Sequence, residues 1–436
     1  MKNFKNKFIT AALLLLLFAS ADVFAAKPVW RKGAIHTHTL WSDGRSLPEV
    51  AVKTYKDLGF DFMCITEHNV FPDRELWLPV AKEEGKYPPN LSLAEYRYAK
   101  KMLPGKIIER KIGVRDFVRL RTFKELQGLF EEKGKFILMA GMEFTLSVRN
   151  SRNEQFSTHF NTFNLAAEML PDKGRTPEEN FKLNFAKYTA KTKNAPEKSF
   201  FMMNHPQYRF WDIDPVIMVK NPEITHFEIC NGVVPKKALE LCSMEKYWDF
   251  ILAHRLVKGQ QPIYATASDD AHYYRNAVGI PAGVNCSWVM VNAPELTPDK
   301  IAAAMKRGDF YATCGVELEE IIMDGKNKTL SVRVKPEKNI RYTISFIVTK
   351  KNFDRTIKTK KYVHDKNKMF NREFTVIPEN IGTTVKTVSG TDGSYKLQAD
   401  DLYVRAVIRS DKPITFAQPG SYPHCATAWT QPFYSK

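Results

Sequence analysis

Six short apolar runs, at 34–40, 62–66, 136–144, 200–204, 226–230 and 263–267, are each bounded by Gly, Pro, Asn or Asp. Runs of this length with such borders predict buried strands. Between them, 47–58 (opening on Ser46-Leu-Pro-Glu49), 122–132 and 243–258 carry helical periodicity. Strand–helix alternation of this kind predicts an α/β fold with parallel strands, closed most simply as a barrel. Two stretches interrupt it. Residues 85–121 hold Pro88-Pro89, a helical segment at 93–102 and a basic tail, and 145–185 open with hairpin-like alternation before a Lys-rich loop. Both read as insertions at a loop face. From residue 317 the pattern turns β-rich, with runs at 319–323, 329–334, 342–348, 373–376 and 402–408, which predicts a β-sandwich over 317–436.

The first residues stand apart from this pattern. Lys2, Lys5 and Lys7 precede an apolar run at 8–19, and Val23 and Ala25 occupy the −3 and −1 positions for cleavage before Ala26. Residues 1–25 therefore read as a signal peptide, and the remainder as an exported, periplasmic or extracellular, soluble protein. No cysteine follows the apolar run to carry a lipid, and no other apolar stretch is long enough to suggest a membrane span. Apolar and charged fractions of 44% and 26% are those of a globular chain. The formal charge of +17 is spread widely, without zinc-finger spacing or a basic helix interleaved with aromatics, so no specific nucleic-acid partner is expected. Six scattered cysteines without a CxxC pair argue against a Cys-ligated metal. Disulfide pairing and oligomeric state are not legible.

The chemistry-bearing residues fall where the apolar runs end. His36-Thr-His38 lies on the first, and residues two apart on a strand point the same way, so both imidazoles can reach one ion. Asp43 follows in a turn. Glu67-His68 closes the second run, Glu143 the third, and His159, Asn204-His205 and Ser268-Asp269-Asp270-Ala271-His272 repeat the arrangement. Six of the ten histidines occupy such positions; His226, His254, His364 and His424 read as structural or exposed. A Glu ending an apolar run is costly to bury unless it is paired or bound to metal. Imidazole and carboxylate together are the usual donors for Zn, Fe or Mn.

The ordered set HxH, SDG, EH, GxE, H, NHP and SDDxH resembles the PHP (polymerase and histidinol phosphatase) metallohydrolase superfamily. The stretch 296–315 and the closing Ala428-Trp-Thr-Gln-Pro432 are similar to its secreted branch, related to carbaryl hydrolase. The resemblance implies a distorted (β/α)7 barrel over 26–316 holding two or three divalent ions, Zn, Mn or Fe. By that resemblance His36, His38 and Asp270 bind one ion, and Glu143 bridges it to a second completed by His159 and His205. Asp43, His68 and His272 hold a third. Glu67 stands where the family more often has Asp, as a ligand or as support for one. Asp270 and His272 are the expected catalytic pair, assisting proton transfer to and from metal-activated water. Arg209, Arg275 and the basic stretch 97–124 read either as holders of an anionic group or as solvated charge. A phosphoester is the expected substrate, a carbamate or carboxylic ester the alternative. A secreted binding protein with a decayed site ranks last, since every expected ligand position is filled.

Overall fold

The computed structural model describes residues 28–81, 91–233, 242–363, 367–416 and 423–434. The expected signal peptide, Pro88-Pro89 and His364 lie outside these residues.

The chain enters as β1 (Trp30–Ala34), crosses by helix α1 (Pro48–Asp57) and returns as β2 (Phe62–Ile65), parallel to β1. Pro48 opens α1, where its missing N–H costs nothing, and Val50, Ala51, Val52 and Tyr55 are buried. Next come β3 (Leu76–Pro79), α2 (Leu93–Met102), β4 (Glu109–Ile112) and β5 (Arg115–Leu120), whose strands form a separate antiparallel sheet. Helix α3 (Phe123–Phe130) starts at a capping box between Thr122 and Glu125 and leads into the long β6 (Ile137–Arg149), parallel to β2. There follow β7 (Gln155–Phe163), α4 (Pro177–Thr192), β8 (Phe200–Met203), α5 (Tyr208–Trp211), α6 (Pro215–Lys220), β9 (His226–Asn231), α7 (Met244–Leu256) and β10 (Tyr264–Ser268). Pairing runs in the order β10-β9-β8-β7-β6-β2-β1.

The flanks of this array meet. Thr37, just past β1, forms a parallel bridge with Ala271, just past β10, and the His38 N–H donates to the Ala271 carbonyl at 2.8 Å. Curling the sheet until one bridge joins its flanks brings the ends of β1, β2, β6, β9 and β10 around one hollow.

Two expectations change. The first strand stops at Ala34 rather than running to residue 40, because beyond it the regular ladder to β2 gives way to mixed bonding: the Thr37 N–H donates to the Thr66 side chain, Oγ1, at 2.9 Å, while the His38 N–H turns to the Ala271 carbonyl. The expected insertion at 145–185 begins inside the main sheet. β6 runs on past Glu143 and pairs with β7 antiparallel, with Glu143 opposite Asn161 and Thr145 opposite His159. One antiparallel strand therefore sits among parallel ones.

The sheet continues on the other side of β1 through β11 (Trp288–Asn292) and, after α8 (Pro298–Arg307), β12 (Phe310–Thr313). The β-rich region adds β13 (Leu318–Asp324), β14 (Thr329–Val334), β15 (Tyr342–Lys350), β16 (Lys358–Tyr362), β17 (Arg372–Val376), β18 (Thr383–Ser389), β19 (Asp392–Lys396), β20 (Asp401–Pro413) and β21 (Cys425–Thr430). β21 pairs with both β12 and β20, so one sheet of 13 strands crosses the boundary expected at 316/317. A second sheet, β13-β14-β19, shares a core with it through Leu330, Val332, Ile344, Phe346 and Val404.

Side chains tie the two regions further. The buried Arg405 guanidinium forks onto Asp249 of α7 at 2.8 and 2.6 Å. The Gln431 amide accepts from the Ala265 N–H at 3.0 Å and donates to its carbonyl at 2.8 Å, filling an edge of β10 that no strand among the described residues pairs with.

Candidate metal centre

His36 and His38 leave β1 with their rings side by side, centroids 5.0 Å apart, and both are fully buried. Each Nε2 faces the same two carboxylates. His36 lies 3.3 Å from Glu143 Oε2 and 3.4 Å from Asp270 Oδ1; His38 lies 3.2 and 3.1 Å from those atoms. Glu143 is delivered by β6. Asp270 follows β10 in the left-handed backbone region, with φ +49°, a conformation that Asp tolerates better than most residues.

From β7, His159 Nδ1 reaches Glu143 Oε1 at 2.9 Å. His205, beyond β8, places Nε2 at 3.8 Å from Glu143 Oε1 and 3.7 Å from Asp270 Oδ2. His68, beyond β2, has Nδ1 2.8 Å from Glu143 Oε2 and Nε2 3.4 Å from Asp43 Oδ1. His272 Nε2 lies 3.3 Å from the same Asp43 oxygen.

These nine residues form four overlapping groups whose donor atoms lie within 4.8 Å of one another. They are His36-His38-Glu143, His36-His205-Asp270, His68-Glu143-His159 and His38-Asp43-His68-His272. All nine residues singled out in the sequence are thus brought together. The donor chemistry suits divalent cations: His36 Nε2, both ring nitrogens of His38 and Glu143 Oε2 are buried without a hydrogen-bond partner. Such atoms are expensive to strand, and here His36 Nε2, His38 Nε2 and Glu143 Oε2 face one another. The far side of two rings is held as metal-bound imidazoles usually are: His36 Nδ1 donates to Glu228 Oε1 at 2.8 Å, and His272 Nδ1 to the Asp270 carbonyl at 2.7 Å, each leaving Nε2 for an ion.

The electrostatics follow. Burial works against protonation of His36, yet Asp270, Glu228 and Glu143 outweigh it and hold its pKa well above the usual histidine value. His68 and His272 are raised against burial in the same way, chiefly by Glu143 and Asp43 for the first and by Asp43 and Asp270 for the second. Burial disfavours charge on Glu143 and Asp270, but the surrounding histidines bring both well below the normal carboxylate range. His205 goes the other way, pushed down to about 4 by burial and by neighbouring His159. Without a cation, protons on histidines balance the carboxylates, and a bound cation takes over that balance.

The structure places Glu67 outside all four groups. Its buried carboxylate accepts the Thr39 N–H at 3.0 Å and the hydroxyls of Thr39 and Ser42 at 2.5 Å, and so fixes the turn between His38 and Asp43. Glu228 escaped the sequence reading. It accepts from His36, from the His205 N–H and Asn231 Nδ2, both at 2.8 Å, and from the Ser268 hydroxyl. Its signal was a lone carboxylate inside the apolar run at 226–230. Asn204 Nδ2 bridges Glu143 Oε1 and Asn161 Oδ1, each at 2.9 Å.

Among the expected anion holders, Arg275 Nε is tied to Glu95 at 2.6 Å, and the Arg209 side chain lies outside those described. In the basic stretch, Lys100 pairs with Glu109, Arg119 with Glu125, and Arg110 lies over the Trp77 ring. His226 is buried against the Met305 carbonyl at 3.0 Å, His254 is buried beside Phe250 and Phe353, and His424 is exposed.

No family model matches this chain, and no curated protein matches it. Solved structures do. A two-domain protein of Bacteroides vulgatus containing a predicted PHP-like metal-dependent phosphoesterase is 14% identical over 93% of this chain and 95% of its own, with a TM-score of 0.40. A histidinol phosphate phosphatase of Lactococcus lactis, solved with zinc, histidinol and phosphate, is 14% identical over 56% and 86% of the two chains, TM-score 0.24. An amidohydrolase of Chromobacterium violaceum is 10% identical over 55% and 87%, TM-score 0.25.

Proposed function

We propose that this chain is a metal-dependent hydrolase of the PHP superfamily, built as a distorted seven-stranded (β/α) barrel with a C-terminal β-sandwich, exported, and acting on phosphoesters. The observation that carries the reading is the set of four overlapping His/Asp/Glu groups, two of them sharing Glu143, with the buried His36 Nε2 and His38 Nε2 facing Glu143 and Asp270.

In this reading His36, His38, Glu143, His159, His205 and Asp270 hold two inner ions, and Asp43, His68 and His272 an outer one. Bound divalent ions, Zn, Mn or Fe, supply activated water and neutralise charge on the leaving oxygen. The chain's own residues do the rest. Glu228 fixes the His36 ring through Nδ1, Asn204 orients the Glu143 carboxylate, and the closed strand ends keep bulk water from the inner atoms. His272, whose Nε2 lies at the more open side, and Asp270 are placed to pass a proton to or from the reacting group.

The test compares hydrolysis of phosphomonoester, phosphodiester and aryl carbamate chromogens by the purified protein, with and without chelator. Chelator-sensitive phosphoester hydrolysis supports the proposal. The carbamate is included because Arg275, one of the anion-holding candidates, is engaged by Glu95; preference for it would move the substrate class to carbamates or carboxylic esters. Protein that takes up no divalent metal would sink the reading.

A further inference from the structure

Helix α2 belongs to the inserted segment, yet one of its side chains grips the rim of the metal centre. Glu95, in the first turn, is 9% exposed. Its Oε1 accepts from Arg275 Nε at 2.6 Å, and its Oε2 from the Ser46 hydroxyl at 2.6 Å. Ser46 lies three residues after Asp43, and Arg275 three after His272. The two loops so joined also touch directly, the Arg45 N–H donating to the His272 carbonyl at 2.8 Å.

These are the loops that carry the outer group. Asp43 and His272 both aim at the space beside His68, and the Asp43 side chain is 58% exposed. The 39–46 turn closes on itself through the Leu40 N–H and the Ser46 carbonyl at 3.0 Å and is anchored by Trp41 Nε1 on the Arg121 carbonyl at 2.9 Å, with Glu67 holding its start and Glu95 its end. Glu95 is the side chain that bonds to both loops at once, through Ser46 and Arg275, so removing it frees backbone between the outer donors whose ordering costs entropy. Because Arg275 offsets the charge of Glu95, the carboxylate acts through geometry rather than through the field it adds.

We propose that Glu95 is a positioning residue that sets the affinity of the outer ion, so that the insertion decides whether this third position fills. The inference rests on the reading of the cluster as a metal centre. Stepwise zinc titration of the metal-depleted full chain, followed by native mass spectrometry and chelator competition, tests it beside Glu95→Ala, Glu95→Gln and Ser46→Ala. Wild type should take up three ions. Glu95→Ala should weaken the last step by about 10-fold, the low end of the range for losing a ligand's own partner because Glu95 holds the loops of the ligands and not a ligand, with the earlier steps and the unfolding temperature unchanged. Glu95→Gln, which still offers an acceptor to Ser46, should recover part of the loss, and Ser46→Ala should cost only a few-fold. Three unchanged steps in Glu95→Ala would overturn the inference, as would a uniform loss that tracks unfolding. Wild type that binds only two ions would also overturn it while leaving the metal centre standing. Wild type that binds none would instead refute the proposed function.

Discussion

The inner and outer parts of the candidate centre are built from the same residue types by different means. His36, His38, Glu143 and Asp270 sit on or just past paired strands, are 5% exposed or less, and are backed by Glu228 and Asn204. Asp43 and His272 stand on turns beside His68, and their side chains, like that of His68, reach solvent. A sheet places a donor by main-chain ladders formed whether or not an ion is bound. A turn places it by a few side-chain bonds. The inner pair of ions should therefore be tight and permanent, the outer one exchangeable.

The sharpest way to break this contrast is Glu143→Gln. Glu143 belongs to two of the four groups and touches His36, His38, His68 and His159, so metal content should fall by more than one ion. Activity should drop by about 1,000-fold or more, since the ions are asked for several kcal/mol of transition-state stabilisation. Inner ions retained in this variant would show that Glu143 does not join the inner groups into one centre. Glu228→Gln comes next. It leaves every direct donor in place but weakens the hold on His36 Nδ1, and should reduce inner-ion affinity by about 10–100-fold. Excess metal should restore its activity, whereas it should not rescue Glu143→Gln. Asp43→Asn should remove the outer ion alone, seen as one fewer zinc by mass spectrometry, with activity down about tenfold.

The smallest expected effect is in pH. In chelated protein His36, His68 and His272 have raised pKa values, so their contribution to stability is complete below about pH 6.5 and is lost as pH rises through the folded values. Glu143 and Asp270 are lowered, so theirs is present above about pH 4.5 and is lost as pH falls through the depressed values. Unfolding temperature of chelated protein should drop by a few degrees between pH 6.5 and 8.5, and that of zinc-loaded protein should not. Equal slopes with and without chelator would mean that these groups are not a coupled metal cluster.

Much of this was legible. Six histidines at the ends of apolar runs marked a metal site as a set, though each motif alone is weak, and the resemblance to the PHP superfamily assigned His36, His38, His68 and Asp270 as donors. The 226–230 run shows what hides a residue: the lone acid in mid-strand was a signal, but nothing in the sequence says which partner it meets until His36 is seen opposite it. The hairpin-like alternation after 145 announced an antiparallel pair, but its place inside the main sheet was hidden for another reason. Alternation at 145–163 announces strands but not which neighbour they join. The Thr37–Ala271 bridge depends on residues far apart in sequence that share no pattern. Glu95 lies on a helix whose periodicity was plain, and only its contacts with Ser46 and Arg275 give it a role.

The Gln431 amide on β10 has a consequence for the order in which the molecule assembles. It supplies Ala265 with the two bonds a neighbouring strand would give, yet it comes from 166 residues further along the chain. β10 is the strand that presents Asp270. Closing so long a loop is slow, because its entropy is lost before the contact rewards it. Tight capture of the cations, which needs Asp270 in place, would thus be completed with the docking of the β-rich region against β10 rather than with the pairing of β10 to β9 alone.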